Sequence, residues 1–179
     1  DRSYTSLENN TFDYSLRYFP KRIDDRLGRG TGDFRVQGRW GANFGYSTNR
    51  AESISYNVNL NLDQDQLGPA RTRGSAGIVW RPNDRFSTDL RLDYTDREAL
   101  VVHKGDGNYT TFESHQWSPR LETNYFISAK QQLRFTMQWT ALKAFEDRFW
   151  QVNPNSREFL QSVPNPDSIS DDFVISRLT

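Results

Sequence analysis

Cysteine is missing from this chain of 179 residues. No disulfide holds it together, which suits an exported bacterial protein that avoids thiols and equally the many cytosolic proteins that lack cysteine. An excess of either charge is missing too. Lys+Arg and Asp+Glu both number 23, so nothing points to nucleic acid or an acidic surface as partner. Long apolar runs are also missing. The longest, over 99–102, falls far short of the ~20 residues a membrane helix needs. No secretory leader is recognisable, and Asp1 is expected to begin a mature chain or a fragment.

Apolar residues are scarce, at 35% against the ~45–50% of ordinary domains. Scarcity of this kind suits a disordered chain, but 14% aromatics do not. A wall with hydrocarbon on one side and water on the other reconciles the two figures. It needs apolar residues at only every second strand position, with aromatics gathered at two interfaces.

The stretch over 73–95 carries this pattern most clearly. Ala76, Ile78, Trp80, Phe86, Thr88, Leu90, Leu92 and Tyr94 alternate with Ser75, Val79, Arg81, Ser87, Asp89, Arg91 and Asp93. A period of two marks a strand with unlike faces, and Pro82-Asn83-Asp84 between the runs is a turn signal. The same pattern predicts strands over 11–19, 33–47, 51–63, 109–127 and from 131 onward, with a last one from about 171. Residues 1–10 are polar and read as an entry segment or loop without regular structure. Long loops are expected over 20–32, 64–72, 96–107 and 143–170, and short turns at 48–50, 82–84 and 128–130. Long and short connections then alternate, as they do in outer-membrane barrels.

Parity constrains the register. If both arms of a hairpin keep their apolar residues on one face, paired residue numbers sum to an even value, and a three-residue turn satisfies this. Centring on Asn49 sets Phe44 opposite Ile54 and Arg35 opposite Asp63. Centring on Asn83 sets Trp80 opposite Phe86 and Arg73 opposite Asp93. Centring on Ala129 sets Tyr125 opposite Leu133 and Asn124 opposite Arg134, with Glu122 one diagonal step away.

These registers place Arg35, Arg39, Asp63, Asp89, Arg91, Asp93, Arg120, Glu122 and Arg134 on a lumen-facing wall. There they neutralise one another or tune the selectivity of a pore. Trp40, Trp80, Phe86, Trp117 and Trp139 are expected at the membrane interfaces. No catalytic constellation is expected. His103 falls in a long loop and His115 near a strand end, neither beside a marked nucleophile. Asn61, Asp63 and Asp65 alternate faintly like a calcium loop, but the glycine after Asp65 and a closing glutamate are missing. Gly28, Gly30 and Gly32 lack the strand and helix that frame a phosphate cradle. No metal or cofactor is expected.

The run from Asp171-Asp172-Phe173-Val174 through Ile175-Ser176-Arg177-Leu178-Thr179, with the Tyr- and Trp-punctuated hairpins before it, resembles the C-terminal barrel region of a bacterial outer-membrane family. That family is uncharacterised in function, and its longer members carry an N-terminal carbohydrate-binding module of the family-nine type. The resemblance implies further strands beyond Thr179. Family barrels end in an aromatic residue, and Thr179 is not one, so the chain is expected to be part of a larger ring.

The sequence therefore leads to an all-β, antiparallel, up-and-down transmembrane β-barrel over 1–179, with eight strands visible. The expected function is a pore or transporter of small solutes in the bacterial outer membrane. The alternative is a structural or docking barrel whose long loops bind a partner protein or glycan. The expected partners are the lipid bilayer, lipopolysaccharide, and the remaining strands of the barrel or another outer-membrane subunit.

Overall fold

A computed structural model describes residues 1–24, 34–65, 67–105, 107–151, 161–164 and 171–179. Among them there is no helix. Ten strands form one antiparallel sheet, and a two-stranded hairpin stands apart. The sheet begins with β1 (Arg2–Thr5) and β2 (Thr11–Phe19). The separate hairpin is β3 (Arg22–Asp24) with β4 (Phe34–Val36). The sheet resumes with β5 (Arg39–Ser47), β6 (Ile54–Gln64), β7 (Ala70–Asn83), β8 (Phe86–Gly105), β9 (Asn108–Ser128) and β10 (Gln131–Gln151). Two segments share the outer edge of β10. They are β11 (Gln161–Val163), against Phe149–Gln151, and β12 (Phe173–Leu178), against Trp139–Ala144. The order is β1-β2-β5-β6-β7-β8-β9-β10-β11, with β12 beside β10.

All eight expected strands have counterparts. The strand expected over 33–47 is split between β4 and β5 by Gln37 and Gly38. The expectation that 1–10 lack regular structure is overturned, because Arg2–Thr5 pairs with Thr11–Tyr14. The reversal closes through Ser6, whose N–H donates to the Asn10 carbonyl at 2.8 Å, with Asn9 in the left-handed region at φ 61°. The strict alternation of loop length is overturned as well. The loop expected over 96–107 is strand almost to its tip, and His103 lies on β8 rather than in a loop. The loop expected over 143–170 begins as the last nine residues of β10. In both places a β-bulge, between Arg97 and Leu100 and between Glu146 and Arg148, resets which residues face which way. A phase break hides a strand from any search for strict alternation.

Parity survives along the main ladders of the three hairpins whose register was expected, but two of the three registers move. The third is as expected, with Tyr125 opposite Leu133 and Asn124 opposite Arg134. In the first, Phe44 stands opposite Leu60 and Gly41 opposite Asp63, so neither the Phe44–Ile54 nor the Arg35–Asp63 pairing forms. The connection is longer than three residues: Thr48 N–H donates to the Tyr56 carbonyl at 2.9 Å, and the Asn49 side chain accepts from Ala51 N–H at 3.0 Å. In the second, Trp80 stands opposite Thr88 and Arg73 opposite Thr95. Here the turn is only Asp84-Arg85, with Asn83 Oδ1 accepting from the N–H groups of Arg85 and Phe86 at 3.0 Å each. A two-residue turn alone would reverse the faces; the bulge between Trp80 and Asn83 supplies the residue that restores them.

Among the described residues, neither β1 nor β2 pairs with β10, β11 or β12, so the sheet is not closed. The side of β2 away from β5 is covered by β1 only over Thr11–Tyr14. The buried core lies toward the β8–β9 tip, in Ala99, Tyr109, Thr110, Thr111, Phe112, Ser114 and Ala144. Phe112 meets Phe173 edge to face there, with ring centroids 5.4 Å apart.

Candidate functional site: two unlike faces of one sheet

One face is apolar across the whole sheet. The ladders align Leu121 with Leu90 and Met137, Leu90 with Ile78, and Ile78 with Tyr56. Toward the other edge they align Val58 with Tyr46 and Tyr46 with Phe12. Among the described residues, nothing covers this face. Leu90 is 50% exposed, Phe135 52%, Tyr56 49% and Leu133 61%. These four would form the dry centre of a soluble sandwich; here no described residue packs over them.

The expected interface aromatics Trp40, Trp80, Phe86, Trp117 and Trp139 all belong to this face and are exposed, apart from half-buried Phe86. Trp80 and Phe86 cluster near the β7–β8 turn, and Trp117 packs on Tyr94 with centroids 4.3 Å apart. One step beyond the Tyr94–Trp117–Ala141 row, the apolar stripe gives way to the row Asp96, His115 and Lys143. His115 Nδ1 lies 2.9 Å from Asp96 Oδ1.

The other face carries Arg39, Asp63, Asp89, Arg91, Asp93, Arg120, Glu122 and Arg134, as expected from parity. The Arg35 side chain lies outside the described residues. The partners differ from expectation because the registers moved. Asp63 is gripped by Arg71, with Nε at 2.6 Å and a terminal nitrogen at 2.5 Å, and is also reached by Arg73 at 3.2 Å. Glu122 is shared by Arg120 at 3.0 Å and Arg134 at 2.5 Å. Among the described residues, Asp93 has only Arg91 as an ion-pair partner, at 3.6 Å along its own strand. Arg73 was expected opposite Asp93 and instead serves Asp63, and Arg71, which with it organises this face, was not among the residues singled out in the sequence. Its only signal was a position on the polar side of an amphipathic strand.

At the rim, Asp65 lies in the β6–β7 connection and reaches Arg71 at 3.4 Å. Its Oδ2 is buried without a hydrogen-bond partner. Burial pushes the Asp65 carboxyl above its ordinary value, against the opposing pull of Arg71. At the β8 tip, Lys104 pairs with Asp171 and with nearly buried Glu146. The hydrogen bond to Asp171 holds the Lys104 ammonium above its ordinary value, with Glu146 adding to it.

No group of three or more metal-ligating side chains occurs among the described residues. No family model, no curated protein and no solved structure matches the chain.

Proposed function

We propose that this chain forms part of the wall of a bacterial outer-membrane β-barrel, and that the barrel is a pore or transporter of small solutes. The supporting observation is the uncovered apolar face, which runs across the sheet opposite a face of arginines and carboxylates. Soluble monomers rarely expose continuous apolar patches larger than a few hundred Å². Hydrocarbon is the solvent that makes such a face favourable. A polar lining on the reverse side is what a water-filled interior needs.

The slope of the stripe supports the same reading. Tyr14, Phe44, Leu60, Gly74, Tyr94, Trp117 and Ala141 lie in one hydrogen-bonded row. The stripe of β2, Phe12 to Tyr18, straddles that row; the stripe of β10, Leu133 to Ala141, ends on it. The drop is about five residues, or ~16 Å, over ~29 Å of sheet width at ordinary spacings. That slope of about 30° approaches the ~35–45° at which barrel strands cross a bilayer. The stripes of β8, β9 and β10 are each about nine residues long, enough for a tilted crossing.

The open edges of β2 and β12 leave room for further strands to complete the ring, in keeping with the resemblance to a larger outer-membrane barrel. Its partners are then the bilayer, lipopolysaccharide on the outer leaflet, and those strands. A docking barrel is the second reading. It is favoured by β8, β9 and β10, which run on about ten residues, or ~33 Å, past the Tyr94–Trp117–Ala141 row. Folding the chain into lipid vesicles and recording planar-bilayer currents tests both. Discrete conductance steps are expected for a pore. Protease-protected insertion without conductance selects the docking barrel, and failure to insert overturns the membrane reading.

A further inference from the structure

On the polar face arginines outnumber carboxylates, and the surplus is concentrated in one place. One row runs Arg17, Gly41, Asp63, Arg71 and Arg97 across β2, β5, β6, β7 and β8. Gly41 leaves a gap in that row between Arg17 and Asp63. A side chain at position 41 would enter the gap with its first carbon 3.3 Å from Asp63 Cβ. Around the gap lies a concavity of about 190 Å³, lined by Arg17, Arg39, Arg71, Arg73, Asp63 and Asn43, among others.

The four guanidiniums are not equivalent. Arg71 and Arg73 are committed to Asp63. Among the described residues, Arg17 donates only to the Ser15 hydroxyl, at 3.4 Å. Arg39 lies over the Phe19 ring, 5.7 Å from its centroid. An aromatic face orients a guanidinium without neutralising it. Among the described residues, neither Arg17 nor Arg39 forms an ion pair with a carboxylate. Two charged, positioned donors therefore border an opening that glycine keeps clear.

We propose that this concavity is an oxyanion-binding subsite, in which Arg17 and Arg39 hold a phosphate, sulfate or carboxylate group of a solute over Gly41. Guanidinium forks match these groups in geometry as well as charge. As a selectivity element for passing anions the subsite rests on the pore reading; as a binding site it does not. Asp63 sets its strength, because its carboxylate consumes the charge of Arg71 and Arg73 and repels an incoming anion.

The test is calorimetric titration of inorganic phosphate into the whole folded chain in neutral detergent micelles. Arg17→Gln, Arg39→Gln, Asp63→Asn and a distant control, Arg134→Gln, are measured beside the parent. Each of the first two is expected to weaken phosphate at least about tenfold, since a charge-assisted hydrogen bond is lost. Asp63→Asn is expected to strengthen it, and Arg134→Gln to leave it unchanged. A parent that binds no phosphate, or equal weakening by Arg134→Gln, overturns the subsite. Conductance measured separately reports on the pore, so the two ideas fail independently.

Discussion

Arg71 and Asp63 stand directly opposite each other on neighbouring strands and meet through two hydrogen bonds, at 2.6 and 2.5 Å. Their side chains are only 23% and 18% exposed, so this pair is shielded more than an ordinary surface ion pair. Among the described residues, Arg71→Ala leaves Asp63 with Arg73 and takes from Asp65 its nearest cation. It is expected to cost about 2 kcal/mol. Urea titration in lipid vesicles measures it, and a loss below a few tenths would show that water already screens the pair.

Placing a charge on each face in turn tests the solvent of the apolar face. Leu121 lies mid-stripe between Leu90 and Met137. Leu121→Arg is expected to cost about 2–4 kcal/mol in a bilayer, and Tyr94→Arg, at the end of the stripe, about 0–1 from depth alone. Thr136→Arg, on the polar face beside Glu122, is expected to be tolerated. Equal costs at Leu121 and Thr136 in vesicle unfolding would refute the assignment of faces.

Asp65 gives the rim a pH dependence with a definite sign. Burial raises its carboxyl above the ordinary 3.8, so the folded chain binds that proton more tightly than the unfolded chain does. Its stabilising contribution is complete below pH ~3.8 and is lost as pH rises through the raised value. Asp65→Asn removes the penalty. The variant is expected to be more stable than the parent at neutral pH, with the difference closing in acid. Unfolding midpoints at pH 7 and pH 3 decide it; a variant less stable at pH 7 would contradict the burial argument.

The tip core is expected to behave as a local unit. Phe112 is 2% exposed and packs against Phe173. Phe112→Ala opens a cavity costing about 3–5 kcal/mol. That loss should appear at the tips of β8–β10 and the start of β12 rather than along the stripe. Limited proteolysis of folded protein in micelles reads it, with new cleavage near the tips and none over β6 and β7.

Much of the architecture was legible in the residues themselves. Alternation gives the two faces, and parity alone assigned Asp89, Arg120 and Arg134 to one of them and Trp80 and Trp117 to the other. Turn chemistry located the hairpins at Asn49, Asn83 and Ala129 to within a few residues. The missed ends of β8 and β10 run past bulges, and a period-two search sees only unbroken alternation. The missed β1, β3 and β11 are three or four residues long, too short for alternation to show.

By itself, then, the sequence determined which side of each ribbon the residues take between bulges, since successive side chains in an unbroken strand must point to opposite faces. Which residue stands beside which was decided only by the tertiary structure. Sliding a strand by two positions preserves every face and exchanges every neighbour. The choice between such registers was made by the Asn49 and Asn83 side chains in the turns and by the bulge between Trp80 and Asn83. That choice gave Asp63 to Arg71 and left the gap at Gly41 open beside Arg17.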